Sequence, residues 1–165
     1  MDYNTASIKE ISTDGETITT VAYGLSTDIT ADDSAVYWVD IDGVKKLNIS
    51  SKAVTTIADG TSSRGITLDD QYVYWKENNG MIKKVSKNGG AVTTLASGGS
   101  SSIGIAVDAS NVYWLSSDGL KKVSIDGGVV TLLSAVSGYS YGIAVDESNI
   151  YWTQYDTGVV YTVAK

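Results

Sequence analysis

The sequence predicts an all-β protein built from four copies of one short antiparallel unit. Each copy contains one Tyr-Trp pair, and the pairs recur at intervals of 37, 39 and 38 residues. Together they include all four tryptophans of the chain: Tyr37-Trp38, Tyr74-Trp75, Tyr113-Trp114 and Tyr151-Trp152. Each pair lies in a short run of β-branched and aromatic residues bounded by Gly, Asp, Asn or Ser, the pattern of short strands joined by tight turns. A repeat of this length is one supersecondary unit that buries its apolar face against its neighbours.

Each unit contains four predicted strands. The first is an apolar run that ends in Asp, as at 104–108, and the second contains the Tyr-Trp pair. The third carries paired lysines in three of the units, as at 120–123, and the fourth resembles Val-Thr-Thr-Leu, as at 92–95. Dipeptides such as Asp118-Gly119 and Asn79-Gly80 favour the hairpins between them. The unit is therefore predicted to be a four-stranded antiparallel meander, and its repetition predicts a β-propeller with four blades in each chain.

The blade boundaries predict a single domain over residues 1–165, which amounts to a half-propeller if the ring holds eight blades. The repeats lie at about 28–64, 65–103, 104–141 and 142–165. The last repeat ends after three strands, whereas the N-terminal residues 7–23 contain a spare third and fourth strand. We expect these N-terminal strands to complete the last blade, because ring closure removes exposed sheet edges.

Two ways of closing the ring remain open from the sequence. One chain closes on itself as a four-bladed monomer, or two chains join head to tail as an eight-bladed homodimer. The homodimer is favoured, because these short blades have few large residues to fill the wide wedges of a four-bladed ring. The third strand occurs twice, at 7–12 and 158–163, so one copy is displaced on closure.

The repeat resembles the YWTD-type β-propeller repeats, and in particular their bacterial relatives. The resemblance rests on the apolar-apolar-x-Asp run, the Tyr-Trp pair and the following Gly-x-Ile/Val-x-x-Val strand, and it covers residues 7–165. Pairs such as Val39-Asp40 and Lys76-Glu77 stand where the family motif has Thr-Asp. The resemblance implies a propeller fold, a structural role for the repeated Asp, and a secreted or cell-surface location.

Composition excludes several kinds of function. The chain has no His and no Cys, so it has neither a serine–histidine triad, a histidine zinc site nor a cysteine nucleophile. Its net charge of −7 opposes contact with nucleic-acid phosphates. No apolar run approaches the ~20 residues that span a bilayer. We therefore expect no catalytic residues, no metal, no cofactor, no nucleic-acid partner and no membrane span.

The residues that repeat have two possible roles. The carboxylates that occur once per unit, Asp32, Asp69, Asp108 and Asp146, either form a ring for a hard cation or accept backbone N–H groups in a turn, and the turn role is favoured. The Tyr-Trp pairs are either sugar-stacking platforms or the packing between blades, and packing is favoured. The lysine pairs at 45–46, 83–84 and 121–122 are predicted to be solvated rim residues rather than an anion-binding stripe.

The segments that vary between repeats are the candidate ligand site. They precede the first strand of each unit, so they are expected to cluster at one mouth of the channel, where a rigid scaffold displays binding loops. The residues singled out for ligand binding are Ser63, Arg64, Ser102, Tyr139 and Tyr141.

Three hypotheses for function follow. The first is a non-catalytic binding or scaffolding module for a protein, peptide or glycan. The second is a propeller enzyme, of the lyase or lactonase kind, or a glycan-binding lectin, with its site at the channel mouth. The third is a fragment or engineered piece of a larger propeller whose main property is self-assembly. The non-catalytic, self-assembling module is favoured, because no catalytic constellation is present.

Overall fold

The protein is described here by a computed structural model. It describes residues 6–24, 26–60, 63–98, 103–135 and 138–165. Within these ranges the regular structure is entirely β-sheet, as the sequence predicts. No helix with the length and apolarity to cross a bilayer occurs in this described part of the chain.

The described residues form 17 strands. In chain order they are β1 (Ser7–Ile11), β2 (Ile18–Tyr23), β3 (Asp28–Ala31), β4 (Ala35–Asp40), β5 (Gly43–Asn48), β6 (Val54–Asp59), β7 (Ser63–Leu68), β8 (Tyr72–Glu77), β9 (Ile82–Ser86), β10 (Thr93–Ala96), β11 (Ile105–Val107), β12 (Asn111–Ser116), β13 (Gly119–Ser124), β14 (Thr131–Ser134), β15 (Ser140–Val145), β16 (Asn149–Gln154) and β17 (Val159–Ala164). The predicted order of four short strands per unit is therefore present in the first three repeats.

The strands assemble into sheets that follow chain order. The first blade is β3–β6, the second β7–β10 and the third β11–β14, each a four-stranded antiparallel meander. The last blade contains only β15–β17, and β1 and β2 form a separate two-stranded sheet, the N-terminal hairpin. The first strands of successive blades contact one another: β3 contacts β7, and β7 contacts β11. The first strand of each blade therefore lies on the inner side of the stack of blades.

The core lies between neighbouring blades rather than within one sheet. Between the first and second blades, Tyr37 and Val44 on one side meet Ile66, Val73 and Trp75 on the other. All four tryptophans are at most 5% exposed. The tryptophans therefore contribute mainly to packing, as predicted.

The N-terminal hairpin copies the outer half of a blade. Ile8 pairs with Ala22 as Val44 pairs with Ala58, and in both hairpins the register shifts directly after that pair. Ile8 and Ala22 pack against Trp38 of the first blade. The hairpin thus occupies the third- and fourth-strand positions of a blade that would precede the first blade and whose two inner strands are missing.

The last blade is left open in the single chain. The outer edge of β17 pairs with no strand among the described residues, and the N-terminal hairpin pairs only with itself. The sheets do not close into a ring within one chain, so completion of the last blade by residues 7–23 stays a prediction.

The paired lysines differ from the sequence prediction. Lys46 Nζ donates to the carbonyl oxygen of Lys87 at 2.9 Å, and Lys84 Nζ donates to that of Ile125 at 2.7 Å. Each bond runs from one blade to the next. The expectation that these lysines are solvated rim residues is therefore wrong for Lys46 and Lys84: the long side chain reaches along the blade and hydrogen-bonds the neighbouring turn.

Candidate functional site at the channel mouth

Two positions in each blade present variable side chains at the channel mouth, the end at which the inner strands begin. The first lies at the start of the inner strand and the second lies 14 residues later, in the turn after the second strand. In the second blade, Arg64 Nε donates to Asn78 Oδ1 at 2.6 Å. In the last blade the rings of Tyr141 and Tyr155 meet edge to face, with centroids 5.7 Å apart. The same two positions therefore pair through different chemistry in different blades.

A cavity of about 400 Å³ opens at this end of the molecule, where the first three blades meet. Its lining residues are Thr27, Asp40, Ile41, Ser63, Arg64, Asn78 and Ile103. Thr27 Oγ1 donates to the carbonyl oxygen of Ser63 at 2.7 Å, which ties the first blade to the second beside the cavity. The cavity is thus built by a single chain.

The predicted ligand residues separate into two groups. Ser63 and Arg64 lie together in this cavity. Tyr139 and Tyr141 lie on the last blade, 62% and 47% exposed, and they do not line it. Ser102 lies outside the described residues. The structure therefore places two of the five predicted residues in one cavity and two others on a separate blade.

Sequence reasoning missed the second member of each pair. Asn78 and Tyr155 follow the Tyr-Trp strand in a turn that was interpreted only as a hairpin connection. The segment Asp40-Ile41-Asp42-Gly43 was predicted to be a hairpin turn rather than the opening of a calcium loop, and Asp40 does hold this turn, since Oδ1 accepts the N–H groups of Asp42 and Gly43. The shared spacing of Arg64–Asn78 and Tyr141–Tyr155 was the available signal, because antiparallel pairing of the first two strands brings these positions together.

The repeated carboxylates act inside their own blades. In each carboxylate, Oδ1 accepts the backbone N–H groups of the residues two and three positions later, at 2.7–2.9 Å. Oδ2 accepts the hydroxyl group of the tyrosine five positions later. The four pairs are Asp32–Tyr37, Asp69–Tyr74, Asp108–Tyr113 and Asp146–Tyr151. No cluster of three or more metal-ligating side chains occurs in the residues that the structure describes. The geometry is that of an Asx turn with an added tyrosine contact.

Lysines from the following blade reach two of these carboxylates. Lys87 Nζ lies 2.8 Å from Asp32 Oδ2, and Lys165 Nζ lies 2.6 Å from Asp108 Oδ2. Burial works to raise the pKa of Asp108, but the Lys165 ammonium and the backbone N–H groups outweigh it and hold the pKa at about 2. Burial and the neighbouring Asp108 carboxylate raise the pKa of Tyr113 to about 12. These groups are therefore fixed in their ordinary charge states at neutral pH.

Lys76 is the most unusual ionisable residue near the mouth. It is 1% exposed, and Nζ donates to the carbonyl oxygen of Leu115 in the third blade at 2.5 Å. Burial, then the positive charges of Lys121 and Arg64, lower the pKa of Lys76 from 10.5 to about 8. The ammonium is therefore held in the fold at a cost near neutral pH.

This cost predicts a pH dependence of stability. Between pH 8 and 10 the unfolded chain keeps the Lys76 proton and the folded chain loses it, so stability rises with pH. We expect the free energy of unfolding to rise by about 2–3 kcal/mol over that interval, and Lys76→Met to abolish the rise. Urea unfolding at a series of pH values measures both.

The control is Lys52→Met, which removes a lysine whose side chain is 49% exposed. This variant is expected to keep the rise. Above pH 10 the free energy of unfolding is expected to fall again as the pH rises. Tyr37 and Tyr113 have pKa values raised to about 12 in the fold, so the unfolded chain loses these protons at a lower pH than the folded chain does. An undiminished rise in Lys76→Met would show that another group titrates.

Comparison with protein-family models and with curated proteins gives no match. Solved structures do match. A nidogen chain from a nidogen–laminin complex aligns with a TM-score of 0.81 and 21% identity, over 96% of this chain and 67% of that one. The computationally designed Ika4 protein aligns with a TM-score of 0.74 and 16% identity, over 86% of this chain and 91% of the other. BamB from Moraxella catarrhalis aligns with a TM-score of 0.64 and 13% identity, over 87% of this chain and 43% of that one.

These likenesses concern the fold. Their propeller architecture agrees with the meander blades and central inner strands described above. The chain therefore has an all-β, propeller-like fold.

Proposed function

We propose that the chain is a non-catalytic scaffold and binding module of the YWTD-like kind, a half-propeller that two copies complete head to tail as an eight-bladed ring. One observation carries the proposal: at each end of the chain an apolar residue is exposed, although the equivalent residues of the other blades are buried. The lack of His and Cys supports a module without catalysis.

The leading face of the first blade is uncovered at its inner strand. Ile29 in β3 is 50% exposed, whereas its equivalents Ile66 and Ile105 are 5% and 8% exposed. An apolar groove of about 400 Å³ lies between this strand and the N-terminal hairpin. It lies where the two inner strands of a preceding blade belong.

The trailing face of the last blade is uncovered in the same way. Val160 in β17 is 66% exposed, whereas the equivalent residues are almost fully buried: Val44 at 1%, Ile82 at 0% and Leu120 at 0%. The two bare surfaces correspond to the two sides of one blade interface. Each end of a second copy therefore supplies what the other end lacks.

Gly142 gives an independent sign of a missing neighbour. A Cβ built on Gly104 would lie 2.7 Å from the carbonyl oxygen of Tyr141 in the next blade, so glycine is required for the inner strands to approach. Gly142 is the equivalent residue of the last blade, but the nearest atom to a Cβ there is Thr153 Oγ1 of its own blade, at 3.2 Å. The chain thus keeps a close-approach glycine where no strand approaches.

Closure needs one of the two third strands to leave its position. β1 pairs with β2 over five residues, and it is held to the first blade by Ile8 and by the Lys52–Glu10 pair, whose side chains are about half exposed. β17 is held by a six-residue ladder, by the stacking of Tyr161 on Trp152 at 5.5 Å and by Lys165. Exposed ion pairs contribute little to stability, so β1 is the strand that is displaced in the proposed ring.

Substitution of Val160 tests the interface. Val160→Asp is expected to leave folding unchanged, because the residue is largely exposed in the single chain, and to convert the dimer to a monomer. Val129→Asp is the matched control, since Val129 is 89% exposed in the segment between β13 and β14. Light scattering at micromolar concentration measures the mass. An unchanged dimer in Val160→Asp, or loss of the dimer in both variants, would contradict the proposed surface.

A further inference from the structure

The cavity at the channel mouth contains the only arginine of the chain. The Arg64 side chain is exposed, and it contacts Asn78 through Nε at 2.6 Å. This bond orients the guanidinium, and among the described residues its two terminal nitrogen atoms have no hydrogen-bond acceptor. A planar fork of N–H donors held in one orientation is suited to a carboxylate, which it binds through two parallel hydrogen bonds.

Other cationic side chains lie near Arg64, although the protein is acidic. The charges of Arg64 and Lys121 both act on the buried Lys76 ammonium, which places three cationic groups at this end of the second and third blades. Lys121 is paired with Asp118 at 2.8 Å, whereas the described partner of Arg64 is the neutral Asn78. Among the described charged side chains that line the cavity, Arg64 is the cation and Asp40 the anion, so the attraction for an anionic group is located at Arg64 itself.

The other walls of the cavity restrict the anion. Ile41 and Ile103 supply apolar surface, and Asp40 places a carboxylate on the same cavity. Asp40 is fixed by two backbone N–H groups, so it cannot turn away from the cavity freely. A second negative charge on a ligand would be repelled, while an apolar body would contact the isoleucines.

We propose that this cavity binds a small organic monocarboxylate, with the carboxylate on the Arg64 guanidinium and the apolar chain against Ile41 and Ile103. The volume of about 400 Å³ accommodates such a ligand. The described lining residues all belong to the first three repeats of one chain, so the site is proposed to form without the dimer. Asn78 acts as a positioning residue that holds the guanidinium plane.

The single arginine makes the test direct. In a ¹⁵N-resolved NMR spectrum the Nε–H group of Arg64 is the one arginine side-chain signal, and it can be followed during a titration. Hexanoate is the probe, its neutral amide hexanamide tests the need for charge, and inorganic phosphate tests simple anion attraction. We expect a saturable shift with hexanoate and at least about tenfold weaker binding of the other two.

Variants separate orientation from charge. Arg64→Met and Arg64→Lys are both expected to weaken hexanoate binding about tenfold or more, because lysine keeps the charge but lacks the fork. Asn78→Ala is expected to weaken it severalfold, and Lys52→Met, which changes an exposed lysine elsewhere, to leave it unchanged. Binding in the variants is followed through backbone amide shifts. No response to hexanoate, equal binding of hexanamide or phosphate, or unaltered binding by Arg64→Met would each overturn the proposal.

Discussion

Truncation of Trp114 to alanine is expected to lower the free energy of unfolding by about 3–5 kcal/mol. Trp114 is 0% exposed and packs with Tyr74 and Ile82 of the preceding blade and with Val123 of its own. The substitution removes the largest side chain at that interface, and the surrounding sheets cannot collapse into the space without losing their ladders. Denaturant unfolding followed by circular dichroism measures the loss.

Tyr155→Ala is the matched control for this substitution. Tyr155 is 72% exposed, so its removal is expected to change stability by no more than about 0.5 kcal/mol. A loss below about 1 kcal/mol in Trp114→Ala would show that the tryptophan does not carry the interface. The Tyr-Trp pairs would then need another explanation, such as the sugar-stacking platforms considered from the sequence.

Gly65→Ala is expected to destabilise the fold by about 2–3 kcal/mol, whereas Gly142→Ala leaves the single chain stable. A Cβ on Gly65 overlaps the carbonyl oxygen of Ile103, which lies just before the next inner strand. That atom belongs to a backbone, so the third blade must shift to make room. Neither glycine has a positive φ, so alanine fits the local backbone at both positions. The expected difference between the two variants therefore comes only from the atoms that the added methyl group meets.

The effect of Gly142→Ala appears in the assembly instead. In the proposed ring the inner strand of a second copy approaches Gly142 as the last blade approaches Gly104. Compared at dilutions where both proteins are monomeric, the variant is expected to unfold with the same free energy as the unaltered chain, whereas at micromolar concentration it is expected to lose the dimer. Denaturant unfolding of the dilute samples and light scattering at micromolar concentration check the two halves of the prediction. Equal stability losses at both glycines would mean that both sites are already crowded within one chain.

Much of the architecture could be predicted from the sequence, because a strand signal repeated four times averages out local ambiguity. The Tyr-Trp strand and the turn at Asp108 follow from short-range rules that act in every copy. The lysine contacts do not, since Lys46 and Lys84 bond to carbonyl oxygens about 40 residues away, in another blade. Periodicity places such residues on a strand but says nothing of what a long side chain reaches.

The candidate site was predictable only in part, for a similar reason. Arg64 stood out as the single arginine in a variable segment, and it does lie in a cavity. Its orientation depends on Asn78, and the cavity depends on Asp40 and Ile41 from a different blade. Those contacts arise from the register of two strands and the stacking of two sheets, which no single segment of the sequence encodes.

The mass of the unaltered protein in solution tests the central claim most directly. The chain of 17.4 kDa is proposed to need a second copy to cover Ile29 and Val160. Light scattering coupled to size-exclusion chromatography at micromolar concentration is predicted to give twice the chain mass. A mass of one chain, with the free energy of unfolding independent of protein concentration, would contradict the head-to-tail ring.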